Sequence, residues 1–248
     1  MTYRPKIGIT MRLEIPTRRF YLGRDYSEAL VAAGASPTHI PLIPDEAYVA
    51  DFVSGLDGIL LPGSDTDVDP ARFGEQPHPN LGTVIDEKDQ TDLLVLAEAE
   101  RLGLPVFAIC YGMQVLNVFR GGTLVQDIGD QVNEAIKHQQ GLPLERRSHS
   151  VRVETDSLLE KALGVGQVTT NVNSHHHQAI AKVGKDLRAI AFASDGVIEA
   201  VQDTRNGRFA FGAQWHPELN WQNDDLSQKL FGDFVLAAES RRKSISAG

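Results

Sequence analysis

The first half of the chain alternates short apolar runs with stretches whose apolar positions recur at helical spacing. Lys6–Thr10 reads as a buried strand. From Tyr21 to Ala33 the positions Tyr26, Ala29, Leu30 and Ala33 form one stripe, and Gly34 supplies a C-terminal stop, so a helix is expected. Pro37–Leu42 predicts a second strand, Tyr48–Val53 a short helix and Gly58–Leu61 a third strand. A polar loop then runs from Pro62 to Ile85. Asp86 is placed as the N-cap of a helix reaching Leu102, with Gly103 as its stop. Pro105–Ile109 predicts a strand and Tyr111–Phe119 a helix. Such βα alternation implies an α/β protein with a mostly parallel central sheet and helices on both faces.

After Gly121-Gly122 the texture changes. Ser148–Val153, Val168–Asn171, Leu187–Ala193, Val197–Asp203 and Phe209–Ala213 predict strands with few long helices between them. Some should extend the sheet, and others should form antiparallel hairpins at its edge. Leu226, Leu230, Phe231, Phe234, Val235 and Ala238 lie at helical spacing and predict a last helix. The tail from Arg241 to Gly248 is expected to be a flexible, solvated end. Residues 128–147, rich in Gln, Gly, Glu and Arg, are the expected mobile loop or flap. No internal repeat or linker-like break divides the chain, so residues 1–248 are expected to form one domain.

Composition narrows the function. A net charge of −9 opposes nucleic-acid binding, which draws on basic surfaces. No run of about 18 apolar residues predicts a membrane span, and no signal peptide is recognised at the N-terminus. A cytoplasmic protein is the expectation. Cys110 is the only cysteine, which forbids an internal disulfide.

Cys110 also carries the chemistry. It directly follows the apolar run Pro105–Ile109, stands between Ala108 and Gly112, and is followed at once by a helical pattern. That is the strand–turn–helix setting of a nucleophile elbow, with Cys in the place of Ser. A sharp turn there lifts the side chain out of the sheet and aims the first amides of the helix at whatever the sulfur attacks. Taken alone, a free Cys is more often a small buried hydrophobe. A nucleophile needs a base, and the base an orienting group. The segment Phe211-Gly212-Ala213-Gln214-Trp215-His216-Pro217-Glu218 offers both at the end of a strand, His216 as base and Glu218 as its partner. At the carboxyl edge of a parallel sheet they would share that edge with Cys110.

Together the two segments resemble the class I glutamine amidotransferases, whose nucleophile motif reads G/A-I-C-x-G-x-Q and whose partner motif reads Q-W/F-H-P-E. Within that superfamily the chain is most similar to the gamma-glutamyl-gamma-aminobutyrate hydrolase family, peptidase C26. Three further segments carry the likeness: Leu60-Leu61-Pro62-Gly63-Ser64 with Asp67-Val68-Asp69-Pro70, Gly121 to Asp127, and Asn173-Ser174-His175-His176-His177-Gln178-Ala179-Ile180. The resemblance implies a flavodoxin-like amidotransferase fold and a Cys110–His216–Glu218 triad. It implies an oxyanion hole of backbone N–H groups from Tyr111 and the turn at Gly63. It places Gln114, Ser64, His176 and His177 at the substrate. Many relatives carry a second glycine where this chain has Ser64.

The resemblance further implies a cysteine-dependent hydrolase of γ-glutamyl amides that acts on a small molecule without cofactor or metal; a homodimer stays open. The alternatives are a glutaminase subunit feeding ammonia to a separate synthase, and a catalytically dead binding protein on the same fold. Other signals are weaker. His175-His176-His177 on a strand would point to alternate faces, which favours substrate contact and packing over a metal. Asp65-Thr66-Asp67-Val68-Asp69 starts like a calcium loop, but Pro70 and Gln76 stand where Gly and Glu are required. No glycine-rich nucleotide motif is present. Trp215 and Trp221 flank the His-Pro-Glu turn as candidate pocket walls.

Overall fold

Period-two alternation in the strands divides their side chains between two layers, and each layer collects its own helices. The computed structural model describes residues 3–246. The first half contains β1 (Lys6–Thr10), β2 (Arg12–Glu14), β3 (Arg19–Tyr21), α1 (Arg24–Ala32), β4 (Ser36–Ile40), α2 (Glu46–Ser54), β5 (Gly58–Leu61), α3 (Asp86–Leu102), β6 (Val106–Ile109) and α4 (Tyr111–Phe119). The second half contains β7 (Thr123–Val125), α5 (Ile128–Gln131), β8 (His149–Val153), α6 (Leu158–Leu163), β9 (Thr169–Val172), β10 (Ala179–Lys182), β11 (Leu187–Ala193), β12 (Ile198–Asp203), β13 (Ala210–Ala213) and α7 (Asp225–Ser246).

The main sheet has nine strands in the order β4-β1-β5-β6-β13-β12-β11-β8-β9. From β4 to β13 every pairing is parallel, and from β13 to β9 every pairing is antiparallel. The α/β architecture with antiparallel strands added in the C-terminal half is therefore present as expected. Ile7, Ile9, Leu60, Phe107, Ile109 and Phe211 pack on one face against α1, α6 and α7. Ile59, Leu61, Val106 and Ala108 pack on the other against α2, α3 and α4. Phe107 sits at the centre of the first layer, 5.2 Å from Phe231 and 5.8 Å from Phe234 in edge-on geometry. Among the described residues no helix is long and apolar enough to cross a membrane.

Several expectations are corrected. The helix foreseen from Tyr21 begins at Arg24, because Arg19–Tyr21 pairs with Arg12–Glu14 as a hairpin. Ile85 occupies the N-cap position of α3, so Asp86 is its first residue, and its carboxylate takes up Arg72 and Gln90. The tail from Arg241 continues α7 to Ser246. Arg241 donates to the Leu102 carbonyl at 2.7 Å and Arg242 to Asp57 at 3.0 Å; residues 247 and 248 lie outside the described residues. Two short helices escaped the periodicity: α5, capped by Asp127, and α6, capped by Ser157. So did the pair β7–β10. The segment 128–147 opens with α5 and is tied to the loop after β9, where Gln140 N donates to Ser174 O at 3.0 Å.

Truncating Phe107 to Ala leaves a cavity between three rings with no flexible neighbour to fill it. Phe107→Ala is expected to cost about 3–5 kcal/mol. Urea denaturation followed by circular dichroism checks this, and a loss below about 1 kcal/mol would show that the layer repacks.

Candidate active site

The site grows out of the register between β6 and β13. The two run parallel with Ala213 opposite Ile109, and Cys110 N–H continues the ladder to the Ala213 carbonyl at 2.7 Å. The chain then turns sharply. Cys110 has φ 52° and ψ −109°, a left-side conformation that a non-glycine residue holds only under constraint. The constraint is visible two residues later: a Cβ on Gly112 would lie 2.3 Å from the Leu61 carbonyl oxygen. Only glycine lets the start of α4 pack against the end of β5. The free N–H groups and positive end of α4 are thereby gathered at the sulfur.

His216 follows β13 and is held by its backbone. The Asn173 amide clamps it twice: His216 N–H donates to Asn173 Oδ1 at 2.8 Å, and Asn173 Nδ2 donates to His216 O at 2.8 Å. The ring is held at its Nδ1 by Glu218 Oε1 at 2.7 Å, and Cys110 stands beside it. Burial pushes the imidazole down, but Glu218 and Cys110 outweigh that and raise it to about 10. Burial likewise pushes Glu218 up, and the attraction of His216 more than offsets it, leaving the carboxyl below its ordinary value. Imidazolium and carboxylate are thereby the favoured forms of His216 and Glu218.

Behind the carboxylate stands a chain of donors that sequence reasoning missed. The Tyr26 hydroxyl stands near Glu218 and accepts the Gly63 N–H at 3.1 Å. Arg12 Nε donates to the Gly63 carbonyl at 2.6 Å, and its Nη2 lies 3.4 Å from the Tyr26 hydroxyl. In the sequence Tyr26 is visible only as one member of an apolar stripe; a hydroxyl on a stripe that must be buried is the signal that it needs a polar partner. Arg12 gives no signal, because its reach depends on the β2–β3 hairpin. Gly63 itself leaves no room for a side chain: a Cβ there would be 2.6 Å from His216 Cε1.

Two adjoining cavities open on this edge and share Ser64, Asp65 and His175. One, of about 300 Å³, is lined by Cys110, Tyr111, Gln114, Thr66, Asp67, His176 and His177 among others. The other, of about 370 Å³, lies on the His216 side, with Arg12, Asp25, Tyr26, Leu144 and Glu218 on its walls. The segment 128–147 contributes Gln139 to the first and Leu144 to the second. Ser64, Gln114, His176 and His177 all line the Cys110 cavity. Gln114 Nε2 is committed to the Gln178 carbonyl at 3.1 Å and to Gln214 at 3.2 Å. His177 pairs with Asp67 at 2.9 Å and Asp127 at 3.3 Å; the Asp67 hydrogen bond leads in holding its imidazole above the ordinary value. His175 Nε2 turns instead to the Leu144 carbonyl at 2.8 Å, so the three consecutive histidines do not converge. Trp215 is buried in the core and Trp221 packs against it; neither lines these two cavities, which removes both as pocket walls.

Tyr111 is anchored from beneath. Its hydroxyl bonds to Asp89, and Lys88 Nζ lies 4.9 Å from its ring centre while pairing with Asp92. Burial pushes Asp89 up to about 6.

This combination of fold, elbow and histidine turn has clear counterparts. Gamma-glutamyl-gamma-aminobutyrate hydrolase PuuD of Escherichia coli strain K12 is 35% identical over 229 residues, covering 88% of this chain and 86% of the relative. Protein NtpR of Enterococcus hirae is 33% identical over 216 residues, covering 87% and 88%. A solved structure from Thermoplasma acidophilum, described provisionally as a GMP synthase component, matches with a TM-score of 0.69 at 16% identity, over 99% of this chain and 100% of that one. That likeness shows the fold. The protein is a glutamine amidotransferase-like hydrolase. Its residues 5–218 match the family model Peptidase C26, and the chain belongs to that family.

Removing the Tyr26 hydroxyl leaves the Gly63 N–H without its acceptor, beside the His216 ring. Leaving that buried donor unpaired costs about 1–3 kcal/mol and loosens the turn that touches the ring. Tyr26→Phe is therefore expected to lower kcat by about 10–100-fold with KM nearly unchanged. Steady-state kinetics on a variant with native circular dichroism tests it, and a loss under twofold would make Tyr26 a packing residue only.

Proposed function

We propose that the protein hydrolyses γ-glutamyl amides through a covalent thioester on Cys110. The observation that carries this reading is the Cys110–His216–Glu218 line at the mouth of a polar cavity. The 35% identity to gamma-glutamyl-gamma-aminobutyrate hydrolase PuuD supports the substrate class. The thiolate of Cys110 attacks the γ-amide carbonyl. The oxyanion is met by the Tyr111 N–H at the start of α4 and by a second backbone donor, since such donors supply a large share of acyl-transfer rates. Gly63 N–H is already bonded to Tyr26, so the second donor is assigned to Ser64, which lines both cavities. His216 protonates the departing amine and then draws a proton from the attacking water. Glutamate and the free amine leave.

The two cavities divide the substrate. The one at Cys110 presents Gln114, Thr66, Asp67 and His177, polar groups suited to an amino-acid end. The one at His216 takes the amine, with Arg12, Asp25, Asp65 and Leu144 as its surface. A pocket that contacts the leaving amine can stabilise the transition state through it, whereas ammonia offers no such contact.

Cys110→Ala is expected to lower turnover by at least about 1,000-fold without unfolding the protein. His216→Ala should cost far more rate than Glu218→Gln, because His216 moves protons in both half-reactions while Glu218 orients it. A Cys110→Ala protein keeping several per cent of wild-type turnover would remove the thioester from the mechanism. On the isolated wild type, kcat/KM is expected to be higher for substituted γ-glutamyl amines than for glutamine. If glutamine wins, or if hydrolysis waits for a second protein, the chain is a glutaminase subunit.

The pH profile follows from His216. Its folded value near 10 means that the imidazolium is present below that pH and is lost above it. Hydrolysis should therefore fall as pH rises through about 10. A base limb near the ordinary imidazole value of about 6.5 would show that no ion pair forms.

A further inference from the structure

Behind the loop that carries His175 to His177 lies a second cluster that the hydrolytic site does not use. Glu199 on β12 is 0% exposed, and neither of its carboxylate oxygens has a hydrogen-bond partner. A buried carboxylate in that position requires a compensating positive charge. Three imidazoles face it. His138 Nδ1 stands 3.3 Å, His149 Nε2 3.5 Å and His176 Nε2 3.7 Å from Glu199 Oε1. Like Glu199, the inward nitrogens of His149 and His176 are buried without a hydrogen bond.

The outer nitrogen of each ring reveals where its proton goes. His138 Nε2 is 2.9 Å from Asp195 Oδ2, His149 Nδ1 is 3.3 Å from the Ser150 carbonyl, and His176 Nδ1 is 2.9 Å from the Gln178 carbonyl. All three partners are acceptors, so each neutral ring donates outward and turns a lone pair inward. Ser174 supplies no proton to His138 Nδ1 either, because its hydroxyl donates to the His138 carbonyl at 2.6 Å. Three lone pairs aimed at a carboxylate repel one another unless a cation sits among them. An outward acceptor on the far nitrogen is also the usual arrangement around a metal-bound histidine.

The distances of His138 and His149 from Glu199 Oε1 fit that reading. Ligands about 2.0–2.1 Å from a tetrahedral zinc ion are separated by about 3.3–3.4 Å from one another. Direct hydrogen bonds would be about 2.7–3.2 Å. The ligating atoms of His138, His149 and Glu199 all lie within 4.8 Å of one another. We propose that His138, His149 and Glu199 bind a divalent transition-metal ion of the zinc type, with His176 beside its fourth position. The ion would join the segment 128–147, β8 and β12. Through His176 it would reach the loop that lines the Cys110 cavity. Its role is to fix that wall in place, and the proposal stands whatever the hydrolase acts on.

The test uses the full-length protein, stripped with a chelator, dialysed and titrated with zinc chloride and, separately, cobalt chloride. One equivalent of zinc is expected to bind and to raise Tm. One equivalent of cobalt should give the visible bands of a four-coordinate ion without a sulfur charge-transfer band. Cys110→Ala should bind as wild type does. His149→Ala should lose the bound equivalent, and Asp195→Asn should weaken zinc binding by about 10–100-fold. If His149→Ala does not fold, the wild-type and Asp195→Asn titrations decide the case. No saturable zinc binding by the wild type overturns the proposal and leaves a protonated histidine cluster. Binding lost in Cys110→Ala and kept in His149→Ala also overturns it, by placing the ion at the thiol.

Discussion

One backbone turn governs the catalytic edge. Cys110 keeps φ 52° because it is held from two sides: its N–H is tied to Ala213, and Gly112 is pressed under the Leu61 carbonyl. Relaxing either contact would let the residue return to an ordinary conformation and draw the sulfur back into the sheet. The strain is local, and the surrounding strands balance it. The same closeness recurs at Gly63, where the turn after β5 touches the His216 ring. Two glycines thus let three segments meet at a distance that side chains would forbid.

The chemistry at that edge rests on buried polar groups that satisfy one another in series. Arg12 bonds Gly63, Gly63 bonds Tyr26, Tyr26 stands near Glu218, and Glu218 bonds His216. In a medium of low polarity each such bond is stronger than in water, and each missing one is more costly. Glu218 therefore stands at the end of a polar series that begins at Arg12 on β2, outside the main sheet. Lys88, Asp92, Asp89 and Tyr111 form a similar buried set beneath the elbow.

The two halves of the sheet have different tasks. The parallel half delivers Cys110 and the histidine turn to the same edge, because β6 and β13 are neighbours in register. The antiparallel half supplies what surrounds them. The loop after β9 gives Asn173, which clamps His216, and His176 and His177, which line the Cys110 cavity. Beneath that loop, β8 and β12 bring His149 and Glu199 together with His138. The wall of the site and the buried cluster therefore share one support.

The sequence by itself determined the βα order, the strand of Cys110, the helix after it and the last helix. Each depends on local periodicity and on nearby stop signals such as Gly34 and Gly103. It also brought forward Cys110, His216 and Glu218, because each sits in a short motif with its strand on one side. Short elements were less legible: α5 and α6 span 4 and 6 residues, too few to show a period. The tail looked solvated because Arg241 and Arg242 are charged, yet they reach Leu102 and Asp57. Trp215 and Trp221 looked like pocket walls because they flank the His turn, but their rings pack inward with the core. Only the tertiary structure could bring Arg12 to Gly63 across 51 positions, or Asn173 to His216 across 43. The same holds for His138, His149 and Glu199, none of which stands in a motif. Contacts between groups so distant along the chain follow from strand order and register, which periodicity does not encode.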